Sequence, residues 1–209
     1  MSKLTSATNL SSQLIRALDG HRALTIPGLN NSDDRHWQTL WHNNIPGSLR
    51  IELDNWSEPN LEAWRAAIKK MLTNIHEPVV LIGHSFGALA AASIAAEFPE
   101  KIAAALLVAP ADPDKFGIRK LLPNHALEIP AKIIASDDDP WIDAPKAAFL
   151  ALLWGTDFLR FKNLGHINSE SNIGYWSDGI NELHQLTRKL RLSRKALREN
   201  HTLIKGRAA

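Results

Sequence analysis

Short apolar runs alternate with amphipathic segments along most of the chain. Two of the runs, residues 78–82 and 102–108, contain no charged side chain, which is typical of strands buried on both faces of a parallel sheet. Apolar runs bounded by turn residues predict strands at residues 22–26, 49–53, 78–82, 102–108, 131–135 and 157–161.

The segments between these runs carry the spacing of helices. Within residues 59–72, four apolar side chains form one stripe along the predicted helix, namely Leu61, Trp64, Ile68 and Leu72. Further helices are predicted at residues 35–41, 88–97, 144–154 and 175–190. Strands that alternate with helices predict an α/β fold of about six mainly parallel strands, flanked by helices on both faces as a three-layer sandwich.

The composition is that of one soluble globular domain. The chain has 209 residues, of which 44% are hydrophobic and 22% charged. No stretch approaches the roughly 20 apolar residues that span a bilayer, and the N-terminus lacks the apolar core of a secretory signal. These features predict a cytoplasmic protein without membrane contact. The absence of Cys excludes disulfides, thiolate metal ligands and a cysteine nucleophile.

Charge divides the chain into a body and a tail. Residues 188–207 contain eight basic side chains and one acidic one, although the net charge of the whole chain is only +2. We interpret residues 1–20 as an N-terminal extension, 21–190 as the core domain and 191–209 as a basic tail. The tail is either a solvated helical end or a contact for a nucleic acid, an anionic surface or a protein partner. It lacks aromatic residues that would stack on bases, so nucleic-acid binding is not favoured.

The strongest chemical signal is the pentapeptide Gly83-His84-Ser85-Phe86-Gly87. It matches the G-x-S-x-G nucleophile elbow and lies between a buried strand and an Ala-rich helix, which is the context that the motif requires. The turn is tight, and the two glycines allow neighbouring backbone to approach without a Cβ clash. The motif predicts that Ser85 is a nucleophile exposed at the carboxyl end of the sheet.

A serine hydroxyl needs a base within hydrogen-bond reach to act as a nucleophile at neutral pH. In the α/β-hydrolases the chain order is serine, acid, histidine. His166 follows the last predicted strand at the right end of the sheet and is the predicted base. The other downstream histidines are excluded, because one precedes the acid strand, one lies on the closing helix and one in the tail (His125, His184 and His201).

An acid is expected at the carboxyl end of the strand at 131–135, where three aspartates follow one another. The spacing of Ser136 and Ile142 about Asp139 favours this aspartate, because a small residue permits the turn and an apolar residue anchors its return. Asp138 remains the alternative. Asp143 is interpreted as the cap of the next helix.

Backbone N–H groups are expected to stabilise an oxyanion beside the serine. The predicted donors are the amides of Phe86, which follows the nucleophile, and Leu29, in the loop after the first strand; Asn30 is a weaker alternative. His36 and Trp37 either line the mouth of the site or have a structural role. Trp141, beside the proposed acid, is predicted to line the pocket for the acyl group.

Five segments in chain order extend this pattern. They are residues 26–32 with 36–38, residues 54–59 with Leu61 and Trp64, residues 80–87, residues 136–141, and residues 165–168 with 174–176 and Gly179. Together they resemble the small single-domain serine hydrolases of the YdeN type, which include retinoblastoma-binding protein nine. The resemblance covers roughly residues 23–190. It implies an α/β-hydrolase core with little or no cap, a triad of Ser85, Asp139 and His166, and hydrolysis of short acyl esters.

The sequence therefore predicts a serine hydrolase that cleaves a carboxylic ester, or a thioester or amide, of a small molecule. No metal or organic cofactor is expected for this chemistry. The irregular segment at 113–129 forms a small lid at most, which favours an open site. The alternative is an interaction protein that keeps the fold and binds a macromolecular partner, because function resides in sites and not in folds.

Overall fold

In the computed structural model, residues 2–190 are described, with side chains from residue 9 onward. Six strands form one sheet in which every neighbouring pair is parallel, in the order β2-β1-β3-β4-β5-β6. The strands are β1 (Ala23–Ile26), β2 (Leu49–Arg50), β3 (Val79–His84), β4 (Ile102–Val108), β5 (Ala131–Ser136) and β6 (Asp157–Phe161).

Helices cover both faces of this sheet and complete a three-layer α/β sandwich, which confirms the predicted fold class. The helices are α1 (Ser2–Leu18), α2 (Trp37–Asn44), α3 (Leu61–Leu72), α4 (Phe86–Glu97), α5 (Ala144–Leu153) and α6 (177–190). One core cluster joins α3, α4 and α5 to the sheet, and a second joins α1, α2 and α6 to the opposite face.

Strand β3 shows why the central runs are continuously apolar. All of its residues are buried, and successive side chains point to opposite faces. Val79 and Leu81 pack in the cluster beneath α3 to α5, whereas Val80 and Ile82 pack beneath α1, α2 and α6. Helix α4 lies directly on this strand, and its many alanines allow the close approach. The residues that precede and follow Ser85 are therefore held rigidly by the centre of the core.

The N-terminal segment is more closely integrated than its polar composition predicts. The second half of α1 buries Leu10, Leu14 and Leu18 in the same cluster as α6. The hydroxyl of Thr187 in α6 donates a 2.6 Å hydrogen bond to the carbonyl of Ala17. The interpretation of residues 1–20 as a separate extension missed this packing, because the partners of its apolar positions lie in α2, the sheet and the distant closing helix.

The segment at 113–129 also differs from its predicted form. Ile118, Leu122 and Leu127 are buried in the core, and a short 3-10 turn spans Arg119–Leu121. It is therefore packed onto the body and does not form a lid. No helix among the described residues is long and apolar enough to cross a membrane. The predicted basic tail, 191–209, lies outside the described residues.

Candidate active site

Three side chains from separate loops meet at the carboxyl end of the sheet. Ser85 lies between β3 and α4, Asp139 follows β5, and His166 follows β6. His166 Nε2 lies 2.8 Å from Ser85 Oγ, and His166 Nδ1 lies 2.9 Å from each carboxylate oxygen of Asp139. The Asp139 side chain is fully buried. The structure thus brings together the three residues that the sequence predicts to be catalytic.

Ser85 occupies a strained turn. Its φ of 55° and ψ of −124° lie outside the regions that non-glycine residues ordinarily adopt. A Cβ on Gly87 would lie 2.2 Å from the Ile26 carbonyl oxygen, and one on Gly28 would lie 2.7 Å from the Cβ of Ser85. A Cβ on Gly83 would similarly meet the backbone of α4. These positions require glycine because the loop after β1 is pressed against the elbow.

The amides of Leu29 and Phe86 flank the serine. Within the described chain, neither N–H group donates a hydrogen bond in the loops, and Phe86 is the first residue of α4, where an N–H has no partner inside the helix. The N–H of Asn30 instead donates to the Trp56 carbonyl at 2.9 Å. Asn30 is therefore a poor backbone donor for an oxyanion, although it lines the cavity.

The three adjacent aspartates have different roles. Asp138 accepts hydrogen bonds from Ser136 Oγ at 2.6 Å and Gly165 N–H at 2.8 Å, and these bonds lower its pKa. Asp137 accepts one from the Asn163 N–H. Only Asp139 contacts His166. Asp143, interpreted from sequence as a helix cap, caps α5 by accepting a hydrogen bond from the Lys146 N–H, as predicted.

Side chains from α2 and α3 support the loop after β1. Trp64 donates through Nε1 to the Pro27 carbonyl at 2.8 Å. The buried amide of Gln38 donates to the Ile82 carbonyl at 2.9 Å and accepts a bond from Ser32 Oγ. Sequence reasoning assigned no role to Gln38. Its place in the resemblance segment at 36–38 was the local signal, and its partner Ile82 is distant in the chain.

Two side chains hold the backbone that carries His166. His84 Nε2 lies 2.9 Å from the His166 carbonyl oxygen, and Trp37 Nε1 donates to the Ile167 carbonyl at 2.8 Å. Burial lowers the pKa of His84 well below its usual value, so the ring is neutral and its Nε2–H is the donor. Ile167, a β-branched residue, is held at a φ of 49°, which is costly without such support.

His36 and Trp37 take different positions. His36 lies on the cavity wall, where burial lowers its pKa to about 4. Its Nδ1 accepts the Gln38 N–H and caps α2. The sequence left two roles open for Trp37, and the site-lining role is wrong, because the side chain is 1% exposed and is absent from the cavity wall. Its indole lies behind the His166 loop, because the ring packs against Trp41 and Trp176.

Replacing His84 should test this support directly. In His84→Phe the buried His166 carbonyl loses its donor, and an unsatisfied buried group costs about 1–3 kcal/mol. We expect kcat to fall about 10- to 100-fold with little change in KM, while His84→Gln, which retains an N–H donor, recovers part of the loss. Esterase kinetics and circular dichroism of both variants provide the check. Equal losses in the two variants would contradict a role for this hydrogen bond.

A cavity of about 330 Å³ opens above Ser85. Of the residues proposed from sequence, Leu29, Asn30, His36, His84, Ser85, Trp141 and His166 lie on its wall. The wall also contains residues that the sequence did not indicate, namely Asn31, Asp33, Ala111, Phe116, Asn168, Ser169 and Glu170. Most of them are loop residues that no sequence motif marks. They are brought together by tertiary contacts such as the 2.8 Å hydrogen bond from Ser169 Oγ to Asp33.

Comparison with solved structures finds a similar fold in a YdeN-like hydrolase and in other proteins. A YdeN-like hydrolase from Pectobacterium atrosepticum is 35% identical and has a TM-score of 0.82, with 87% of this chain and 98% of that chain covered. The ydeN gene product of Bacillus subtilis is 17% identical with a TM-score of 0.66, covering 79% and 98%. The esterase domain of a Rhodothermus marinus protein is 19% identical with a TM-score of 0.62, covering 83% and 89%.

A family model gives the same assignment from sequence. The model described as serine hydrolase matches residues 23–185, which is most of the chain. A search of curated protein sequences gave no significant match. These findings confirm the predicted resemblance to YdeN-type hydrolases, whereas the likeness to retinoblastoma-binding protein nine remains a prediction. The chain is therefore a serine hydrolase and belongs to the serine hydrolase family of α/β fold.

Proposed function

We propose that the protein hydrolyses a carboxylic ester of a small molecule through an acyl-enzyme formed on Ser85. The observation that carries this proposal is the continuous hydrogen-bonded row from Ser85 Oγ through the His166 ring to the Asp139 carboxylate. Nucleophile, base and orienting acid in this arrangement are the parts that acyl transfer to serine requires.

In the first half of the reaction, His166 Nε2 accepts the Ser85 proton as Oγ attacks the ester carbonyl carbon. Asp139 keeps the proton of the neutral imidazole on Nδ1 and stabilises the imidazolium that forms. The tetrahedral oxyanion is stabilised by the N–H groups of Leu29 and Phe86. The N-terminus of α4 adds a favourable dipole at the same point.

Collapse of the tetrahedral intermediate breaks the ester C–O bond. His166 donates its proton to the departing alcohol, and the acyl group remains on Ser85. In the second half, His166 accepts a proton from water, which attacks the acyl-enzyme. The proton then returns to Ser85 Oγ as the carboxylic acid leaves.

The cavity supports a small substrate. Its volume of about 330 Å³ is at the lower end of the range for ligand pockets, and the segment at 113–129 is packed against the body. Apolar side chains of Leu29, Ala111 and Phe116 line one part of the wall. This wall fits a short acyl group.

Trapping of the acyl-enzyme tests the proposal. Incubation with p-nitrophenyl acetate followed by an acid quench should leave one acetyl group on the peptide that contains Ser85, detected by mass spectrometry. The exposed side chain of Ser57 is not on the cavity wall, so Ser57→Ala is a matched control and should acylate like the unmodified protein. Release of p-nitrophenol without acetylation of Ser85 would contradict the mechanism.

A further inference from the structure

The wall of the cavity has two chemically distinct parts. One part is apolar and contains Leu29, Ala111 and Phe116. The other is polar and contains the side chains Asn30, Asn31, Asp33, Asn168, Ser169 and Glu170. No Lys or Arg lies on this wall among the described residues. A substrate that fills the cavity therefore contacts both apolar and polar side chains.

The mechanism determines which end of the substrate faces the polar part. His166 hands its proton to the leaving group, so the leaving group must lie on the side of the His166 loop. Asn168, Ser169 and Glu170 belong to that loop, and Ser169 is bonded to Asp33. Phe116 belongs to a different segment, and its ring is 5.3 Å from that of Phe86, the residue after the serine. The polar wall is therefore the leaving-group side.

This wall has unused hydrogen-bonding capacity. Asp33 Oδ1 accepts bonds from the N–H groups of Arg35 and His36 and from Ser169 Oγ, whereas its second oxygen has no partner among the described residues. The Glu170 carboxylate likewise has no partner in the described chain. The Asn168 side chain uses its carbonyl oxygen to cap a turn, which leaves its NH₂ group to donate. The wall thus offers both hydrogen-bond acceptors and a donor. A hydroxyl group of a ligand can use both, because it donates one hydrogen bond and accepts others.

An exposed aromatic ring, predicted from sequence to line the acyl pocket, lies instead beside the His166 loop with Asn168 and Glu170. Trp141 is 50% exposed, and its ring centre lies 6.1 Å from that of His166. Lys115 Nζ already lies 5.8 Å from the centre of this ring and donates to the Trp141 carbonyl at 2.7 Å. A second cation at this tryptophan would be repelled by that ammonium. The two carboxylates Asp33 and Glu170 disfavour an anion. An uncharged ring that bears hydroxyl groups avoids both the repulsion by the ammonium and the repulsion by the carboxylates.

We infer that the leaving group is a sugar or a similar cyclic polyol, so that the substrate is a short-chain ester of a carbohydrate hydroxyl. This inference rests on the proposed ester hydrolysis. The ring of the sugar packs on Trp141, and its free hydroxyls bond to Asp33, Glu170 and Asn168, while the short acyl group lies against Ala111 and Phe116. Binding combines an apolar surface with a few placed polar groups, as is usual in ligand pockets.

A matched pair of acetates tests the inference. 6-O-Acetylglucose and cyclohexylmethyl acetate are both acetates of a primary alcohol on a six-membered ring, and they differ in the ring oxygen and the hydroxyls. We expect kcat/KM to be at least about tenfold higher for the sugar ester, since a hydrogen bond between uncharged groups contributes a factor of up to about ten and one to a carboxylate contributes more. Acetylcholine is the cationic comparison, and we expect its kcat/KM to be lower than that of 6-O-acetylglucose.

Substitutions on the polar part of the wall test whether it causes the preference for the sugar ester. Trp141→Ala and Glu170→Gln should each lower the ratio of kcat/KM between the sugar ester and the cyclohexylmethyl ester. Phe149→Ala is the matched control, because Phe149 is 48% exposed but lies on α5 and not on the cavity wall; its ratio should equal that of the unmodified protein. A ratio that Trp141→Ala and Glu170→Gln leave unchanged would contradict the assignment.

The outcomes separate this inference from the proposed function. Equal kcat/KM for the two ring acetates, or faster cleavage of acetylcholine than of acetylglucose, would overturn the carbohydrate assignment while Ser85 is still acetylated by p-nitrophenyl acetate. Failure of p-nitrophenyl acetate to acetylate Ser85 would overturn the proposed ester hydrolysis itself, and the inference with it.

Discussion

Ser85→Ala is expected to lower kcat for p-nitrophenyl acetate by about 10⁵- to 10⁶-fold. The variant retains the elbow backbone and the oxyanion donors but has no oxygen at 2.8 Å from His166 Nε2, so no acyl-enzyme forms. Steady-state kinetics at neutral pH, together with labelling by a fluorophosphonate probe, provide the measurement. Labelling should be lost entirely.

The fold of this variant should be intact, and its unfolding temperature reports on that directly. Ser85 has a strained backbone at a φ of 55°, and alanine at the same φ has a similar cost, so we expect circular dichroism to be unchanged. Residual labelling above that of a heat-denatured sample would indicate that another nucleophile reacts, and would contradict the assignment of Ser85.

Asp139→Asn is expected to lower kcat by about 10⁴-fold while KM changes little. The asparagine amide would donate to His166 Nδ1, because the carboxylate now lies 2.9 Å from that atom. The imidazole would then carry its proton on Nε2. This nitrogen could no longer accept the proton of Ser85. The same kinetic assay measures this loss.

Asp138→Asn is the matched control for the acid. Asp138 is the neighbouring aspartate, and its bonds run to Ser136 and Gly165, away from the imidazole. The asparagine oxygen can still accept these bonds, so we expect kcat within a few-fold of the unmodified protein. A large loss in Asp138→Asn and a small one in Asp139→Asn would instead identify Asp138 as the acid.

The elbow could be predicted from sequence because its determinants are local. Gly83, Ser85 and Gly87 lie within five residues of one another, and an apolar run and an Ala-rich helix flank them. The choice of Asp139 over Asp138 rested on spacing, and the geometry agrees, since only Asp139 contacts His166. In each case the chain order and the turn chemistry restrict where the side chain can be.

Features that depend on distant contacts could not be predicted. Trp37 is 130 residues from Ile167, its hydrogen-bond partner, and nothing near it distinguishes a support behind the site from a residue on its wall. The polar side of the cavity depends on the bond between Asp33 and Ser169, which are 136 residues apart. Helix α1 has too few apolar positions to indicate core packing until α6 is present beside it.

The resemblance segments around Trp56 and Trp64 acquire a physical explanation from the structure. The carbonyl of Trp56 accepts the Asn30 N–H, and the indole of Trp64 donates to the Pro27 carbonyl. The two rings pack edge to face at 5.7 Å. Both tryptophans thus support the loop that carries the Leu29 amide, which we propose as an oxyanion donor.

The bond between Thr187 in α6 and Ala17 in α1 bears on when a newly synthesised chain becomes active. The ribosome releases the first helix long before the last one, and the part of α1 that packs against α6 stays uncovered until residues 177–190 emerge. Strand β6 and the His166 loop also appear late, after the nucleophile is already exposed. The site therefore assembles only when nearly the entire domain has been translated, and nascent chains carry a serine without its base.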